Sequence, residues 1–469
     1  MGAAPRAPEP NGGVAAPVSQ LGLLRSRRFW PLFTVQFLGA FNDQAFKTGF
    51  VALLTWRLAA DKGLEGALDL LNQLAAALFI LPFALISPTA GMIADGIDKA
   101  VMMRRVKAAE IGLMLLAAAA FRAESVTALF LLLLLMGAQS AFFAPIKYAV
   151  LPRYLRPEEL VAGNGLVAAA TFIAIICGQI VGAKLALIGG TGPFGGALGI
   201  ETVSGLVIVV AIIGWLAALC SPPVPPVGPR PGVDWLLPRA MIRVLRECAR
   251  WREPWFAVLA FAWFWLAGAA VLAFVPPMAR ETLHGTEDVA LILLVTFTLG
   301  VSLGAMLCNR VLRGRASYRP VPWGALGMMA GLLLLHPALA AYGGDIPAGA
   351  PLLSGVAFLS RADAWPVLGC FLLMSSFAGL YVVPLSVIYQ TTSPEPLRAR
   401  IVAASNVIDS LAMVVSALLA TALLLAGLDR AQVLVAFALT GLPVALVIAL
   451  HHRRGPDLSP PAAAAPPAA

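Results

Sequence analysis

Residues 29–56 read Phe-Trp-Pro-Leu-Phe-Thr-Val-Gln-Phe-Leu-Gly-Ala-Phe-Asn-Asp-Gln-Ala-Phe-Lys-Thr-Gly-Phe-Val-Ala-Leu-Leu-Thr-Trp. The run is long and apolar enough to cross a bilayer as a helix, which takes about 20 residues. Its middle nevertheless carries Asn42, Asp43 and Lys47. A charged side chain near the centre of a spanning helix costs about 2.5–3.5 kcal/mol on insertion scales. Asp43 and Lys47 stand four residues apart, so they share a helix face and are expected to neutralise each other in part. Such a face is expected to turn toward the protein interior or a water-filled cavity. The rest of the chain is then its container.

Composition agrees. Of 469 residues, 60% are hydrophobic and 12% charged, where a soluble protein carries about 25% charged residues. A polytopic membrane protein follows. Five cysteines, Cys177, Cys220, Cys248, Cys308 and Cys370, lie far apart without C-x-x-C spacing, which points to neither a disulfide framework nor a metal site. The first apolar run is too long for a signal-peptide core and is expected to be retained.

Further apolar runs fall near 70–93, 101–121, 125–147, 160–188 and 202–220, and after a linker near 255–277, 288–309, 321–341, 365–390, 400–426 and 431–450. The expected fold is an all-α membrane protein of twelve transmembrane helices in two pseudo-symmetric halves of six. The divisions are a disordered tail at 1–24, a bundle at 25–220, a linker at 221–254, a second bundle at 255–452 and a tail at 453–469. With both termini cytoplasmic, 25 of the 33 Lys and Arg fall on the cytoplasmic side, and seven on the other. This is the positive-inside asymmetry. The net charge of +9 is thereby explained by topology, which removes nucleic acid as a partner.

The linker opens with a proline-rich spacer and continues into a stretch that places Leu237, Met241, Val244 and Cys248 on one helical face, opposite Arg239, Arg243, Arg246 and Arg250. That amphipathic pattern suits the inner membrane surface, although a helix simply joining two halves accounts for it equally. Weak echoes support duplication. Gly91 to Arg105 follows the second run as Gly300 to Arg315 follows the eighth, and Asn164 opens the fifth run as Asn406 opens the eleventh. Internal repeats of this kind are a transporter architecture.

The Gly-x-x-x-Asp turn of Gly91 and Asp95 after the second span resembles the loop motif of the major facilitator superfamily, with Gly96 where an arginine is usual. A finer resemblance is to the bacterial lysophospholipid transporters, including the transporter half of acyl-glycerophosphoethanolamine acyltransferase fusions. It rests on Gln36 to Asp43 with Phe46-Lys47, Ala94 to Lys99, Phe142 to Pro152 running on to Leu166, and Arg398 to Asn406. The resemblance implies transfer of a lysophospholipid, such as lysophosphatidylethanolamine, from the outer to the inner leaflet of the bacterial inner membrane by alternating access, in a monomer embedded in membrane lipids. It also implies an acyltransferase as a partner for re-acylation. Asp409 in the eleventh span departs from the neutral residue expected there.

Gln36, Asn42, Asp43, Lys47 and Asp409 are the candidate substrate- or ion-binding residues. Asp43 is either an ion-binding or protonating group or one half of a static pair with Lys47. Gly91, Asp95, Asp98, Lys99 and Arg104 form a cytoplasmic turn expected to gate, since carboxylates can latch onto a facing helix in one conformation only. Lys147 and Tyr148 are expected to reach head groups at the cytoplasmic surface, and Asn164 and Asn406 to bond between helices. Glu110 and Lys184, in apolar runs, receive no role. No cofactor or metal is expected; Na+ or H+ remains open as a coupling ion. The His452 to Asp457 spacing resembles an acyltransferase motif, but the Ala- and Pro-rich residues after it suit no catalytic domain, and no P-loop or serine elbow appears. The expectation is a transporter and not an enzyme. Competing readings are a carrier of a soluble drug or peptide and a non-transporting platform for an acyltransferase.

Overall fold

The computed structural model describes residues 20–58, 62–64, 67–227, 232–342, 351–456 and 458. Most of both expected tails and part of the proline-rich spacer lie outside them. The elements before the linker are α1 (Gln20–Leu23), α2 (Trp30–Leu53), α3 (Leu68–Leu85), α4 (Ser87–Gly96), α5 (Lys99–Arg122), α6 (Val126–Tyr154), α7 (Leu160–Ala186) and α8 (Leu198–Leu219). The linker contributes α9 (Leu237–Ala249). After it come α10 (Arg252–Pro277), α11 (Glu287–Leu312), α12 (Val321–Ala340), α13 (Gly355–Leu359), α14 (Ala364–Thr391), α15 (Arg398–Leu425), α16 (Arg430–Leu439) and α17 (Gly441–Arg453).

Among the described residues, nine helices are long and apolar enough to cross a membrane, with α16 and α17 counted together. A tenth is the bent pair of α3 and α4, which meet at 44°. Pro88, in the first turn of α4, explains the break, because it lacks the N–H that would continue the helix. The 24-residue helices α2 and α5 fall outside that group; they are the two that carry Asp43 with Lys47, and Arg104, Arg105, Lys107 and Glu110.

Small residues set the closest approaches. In the first half, Gly178 and Gly182 of α7 pack on α2, where a Cβ at Gly182 would stand 2.7 Å from Ala45 Cα. In the second half, Gly300 and Gly304 of α11 pack on α14, where a Cβ at Gly304 would stand 2.7 Å from the Ser376 carbonyl carbon. Both are four-residue spacings of glycine, the arrangement by which membrane helices bring backbones together. Proline is accommodated as lipid requires. Pro145 inside α6 cannot bond to the Ala141 carbonyl, and that carbonyl accepts from Ser87 Oγ instead at 3.4 Å. The α16–α17 break at Thr440 and Gly441 is closed by Trp263, whose Nε1 donates to Thr440 Oγ1 at 2.9 Å. Trp263 is therefore a buried packing residue.

The described polar contacts between the halves cluster at one end, the end that carries the linker. Asn164 and Gln390 exchange two amide hydrogen bonds of 3.2 and 2.8 Å between α7 and α14. Asn406 Nδ2 donates to Ser87 Oγ at 3.3 Å, and Arg153 pairs with Glu395. Both repeat-related asparagines thus bridge the halves. Linker helix α9 buries Ala240, Val244 and Cys248 and packs against α4 and α15. The apolar face that suits a membrane surface is used on the protein, so α9 is a joint between halves. Burial pushes the Cys248 thiol up to about 12, leaving it an unreactive packing group.

Candidate functional site

Asp95 sits in the last turn of α4, aimed at the N-terminus of α15. Its Oδ1 accepts from the Ala399 N–H at 3.0 Å, and its Oδ2 from the Arg400 N–H at 3.2 Å and Arg400 Nε at 3.1 Å. Unpaired N–H groups at a helix start make a ready anion site, and this carboxylate fills it from the opposite half. Arg400 is itself shared, since its Nη1 donates to Glu247 Oε2 of α9 at 2.8 Å. The contact is therefore three-part, joining α4, α15 and the linker helix. Gly91 makes the approach feasible, because a Cβ there would lie 2.8 Å from Ala403 Cβ and 2.9 Å from the Ala399 carbonyl oxygen.

The other turn residues do different work. Asp98 caps α5, accepting from the N–H groups of Ala100 and Val101 at 2.8 and 3.1 Å. Arg104 donates to the Ala218 and Ser221 carbonyls at 3.3 and 2.8 Å, bracing α5 against the end of α8. Among the described residues, neither bonds to the second half. Lys99 is buried beside Asp95. Gly91→Val is expected to hold α4 off α15, and cross-linking through Arg153→Cys and Glu395→Cys should fall by more than half. An unchanged yield would show that the helices absorb the side chain.

Deeper in the first half lies a connected polar network that the sequence did not reveal as one. Lys107 of α5 pairs with Glu110 one turn on, Nζ to Oε2 at 2.5 Å, with the two side chains 2% and 1% exposed. Glu110 Oε1 accepts from Asn42 Nδ2 at 2.9 Å, and Oε2 from Gln139 Nε2 at 3.0 Å. Next to Gln139, Ser140 donates to Asp43 Oδ2 at 2.6 Å and lies 3.1 Å from Gln139 Oε1. The chain from Lys107 to Asp43 thus joins α5, α6 and α2. Phe143 receives the Lys107 ammonium over its ring at 5.3 Å. A Cβ on Gly39 would come within 2.5 Å of Lys107 Nζ, so this glycine leaves room for the ammonium.

This arrangement corrects several expectations. Asp43 and Lys47 do not form an ion pair within 4.0 Å: Asp43 takes its hydrogen bond from Ser140, and the Lys47 ammonium lies over the Phe79 ring at 5.6 Å. Lys107, one of the Lys and Arg counted on the cytoplasmic side, is buried in α5. Lys147 and Tyr148 are not surface groups but lie within α6, half-buried, with the Lys147 ammonium 4.9 Å from the Tyr148 ring centroid. Glu110, Lys107 and Lys147 are within electrostatic range of Asp43, and Asp409 is within range of Tyr148 and Tyr389. Lys147 is thus a neighbour of the first-half carboxylate and Tyr148 of the second-half one. Lys184 is exposed near the end of α7. Gln36 donates to Thr171 Oγ1 at 2.8 Å, a contact between α2 and α7 apart from the Asp43 network.

Asp409 accepts from Ser405 Oγ at 3.1 Å, while its Oδ1, like Asp43 Oδ1 and Asn42 Oδ1, is buried with no hydrogen-bond partner. Buried acceptors left open are costly unless a proton, cation or ligand donor meets them in some state. No group of three or more His, Cys, Asp or Glu placed to hold a metal occurs among the described residues.

A helical membrane protein with a linker, polar contacts between its halves and carboxylates buried at mid-helix has the form of a membrane carrier, and the family model for the Major Facilitator Superfamily matches residues 32–360. The chain belongs to that superfamily. It is similar to the lysophospholipid transporter LplT of Cronobacter sakazakii, 27% identical over 405 residues, covering 84% of this chain and 87% of the relative. LplT of an Enterobacter species is 26% identical over 430 residues, covering 89% and 96%. Among solved structures, the human organic anion transporter MFSD10 aligns with a TM-score of 0.69 at 16% identity, covering 89% of this chain and 99% of that one. The E. coli fucose:proton symporter FucP aligns at 0.63 and 14% identity, covering 90% and 98%. These structural likenesses speak to the fold alone.

Proposed function

We propose that this chain carries lysophospholipids, such as lysophosphatidylethanolamine, from the outer to the inner leaflet of a bacterial inner membrane by alternating access. The similarity to LplT along most of both chains carries the substrate class. In this reading α2 and α5 are also spans, which gives twelve with both termini cytoplasmic. The described latch then closes the cytoplasmic side, and the state is outward-facing. Asp43 is the coupling group for Na+ or H+, and its open Oδ1 and its link through Ser140 to the Lys107–Glu110 pair support that role. Lys147 is its cationic neighbour on α6, and Asp409 the corresponding group of the second half. An acyltransferase would consume the delivered lipid.

Competition binding separates this reading from that of a soluble-solute carrier. Lysophosphatidylethanolamine is expected to displace a labelled lysophospholipid from the purified protein, while sugars, peptides and amphiphilic drugs do not. Displacement by a soluble solute alone would contradict it. Asp43→Asn should abolish the dependence of transport on an imposed ion gradient. Full retention of that dependence would make Asp43 a structural group.

A further inference from the structure

At the linker end of the second half, α10 and α17 enclose a groove of about 530 Å³, remote from the Asp43 network and separate from the Asp95 latch. Trp255, Phe256 and Leu259 of α10 face Val447 and Leu450 of α17 across it. Leu259, Val447 and Leu450 are each about half exposed (46%, 53% and 47%), so the apolar wall opens laterally and not into the protein. At its rim stand three guanidinium groups from three segments: Arg250 at the end of α9, Arg252 opening α10 and Arg454 just after α17. All three are exposed.

None of the three forms an ion pair among the described residues. The adjacent carboxylate, Glu253, is already engaged, since its Oε2 accepts from Tyr318 Oη at 3.3 Å and meets His451 Nε2 at 2.9 Å. His451 in turn stacks on Phe256 with ring centroids 3.8 Å apart, which fixes the floor. Glu253 is therefore tied to the floor of the groove and pairs with none of the three arginines among the described residues.

An apolar wall open to the side, capped by unpaired arginines, matches one kind of occupant. A purely hydrophilic anion would leave the wall unused, and an uncharged amphiphile would leave three cations unmet. Arginine forks are the side chains best suited to phosphate oxygens. Basic pockets between membrane helices on the cytoplasmic side bind anionic lipid head groups, and the volume is in the range of specific small-molecule sites. We propose that this groove binds an anionic phospholipid of the surrounding leaflet, its acyl chain along Leu259, Val447 and Leu450 and its phosphate among Arg250, Arg252 and Arg454. The site is independent of which substrate is carried. It also has a consequence for the gate: Arg250 ends the helix whose Glu247 holds Arg400, so a lipid tying Arg250 to α10 and α17 anchors one part of the latch.

Native mass spectrometry of the full chain, released from vesicles of equal phosphatidylglycerol and phosphatidylethanolamine, tests this. Phosphatidylglycerol is expected to be retained preferentially. The combined variant Arg250→Gln, Arg252→Gln, Arg454→Gln should lower its retention at least tenfold, and Leu259→Asp should lower it with the arginines intact. Arg239→Gln, an exposed arginine of α9 outside the groove, should not change it. Thermal melting of each variant shows that it is folded; because the three arginines are exposed and unpaired, no loss of folding is expected. Equal retention of the two lipids by the natural chain, or undiminished retention by the folded triple variant, would overturn the proposal.

Discussion

Glu110→Ala is expected to be the most damaging single substitution in the first half, lowering stability by about 3–5 kcal/mol, because it leaves the Lys107 ammonium buried without its partner. The loss spreads further, since Glu110 also accepts from Asn42 and Gln139, and Gln139 adjoins the serine that holds Asp43. Lys107→Ala should behave similarly, for it strands the carboxylate. The double variant Lys107→Met, Glu110→Met removes both charges and keeps side-chain volume, so it should recover most of the stability, as replacing a complete buried pair by apolar groups often does. Thermal unfolding in detergent measures all three. If the double variant is as unstable as the singles, the pair is not what the singles break, and the network has been misassigned as a charge-compensated unit.

Asp95→Ala is expected to have the second large effect, on state preference and not on stability. Its carboxylate accepts three hydrogen bonds from α15, one from a guanidinium, and a hydrogen bond to a charged group is worth about 1.5–3 kcal/mol net. Loss of about 3 kcal/mol from the latched state alone shifts the ratio of states on the order of 100-fold. Transport should fall by at least tenfold while the variant still folds and binds substrate, and the linker end should become accessible to thiol reagents at introduced cysteines. Glu247→Gln should give a milder version, because Arg400 keeps Asp95 after losing its contact with the linker helix. Unchanged accessibility in Asp95→Ala would mean that the latch does not set the state.

Much of this was legible in the chain. The charged middle of α2 announced a polar site inside a membrane domain, and the Gly91 to Asp95 turn pointed to a carboxylate that could meet a facing helix, which is where Asp95 bonds to the start of α15. What could not be read were contacts between helices. Lys107 looked like a loop residue because Lys99, Arg104 and Arg105 precede it, yet at 1.5 Å per residue it lies about 12 Å into α5 from Lys99. Its spacing to Glu110, three residues on, was the available signal, since an opposite charge on the same face lets both enter the interior together. Gln139 and Ser140 carried no such signal, being uncharged in an apolar run. Lys147 was placed at the surface for a similar reason: it stands seven residues before the end of α6, about 10 Å inward. Asp43 still acts on Lys47 across their shared face, but no close ion pair forms, because sharing a helix face permits one without requiring it and the neighbouring helix α6 offers Ser140 to the carboxylate.

The central claim is that lysophospholipid crosses the bilayer through this chain and that Asp43 couples the movement. Purified protein in vesicles loaded asymmetrically with fluorescent lysophosphatidylethanolamine, with Na+ and proton gradients imposed separately, measures it most directly. The account predicts transfer between leaflets well above empty vesicles, accelerated by one of the two gradients in the natural chain and by neither in Asp43→Asn. Transfer no faster than in empty vesicles under either gradient would contradict it.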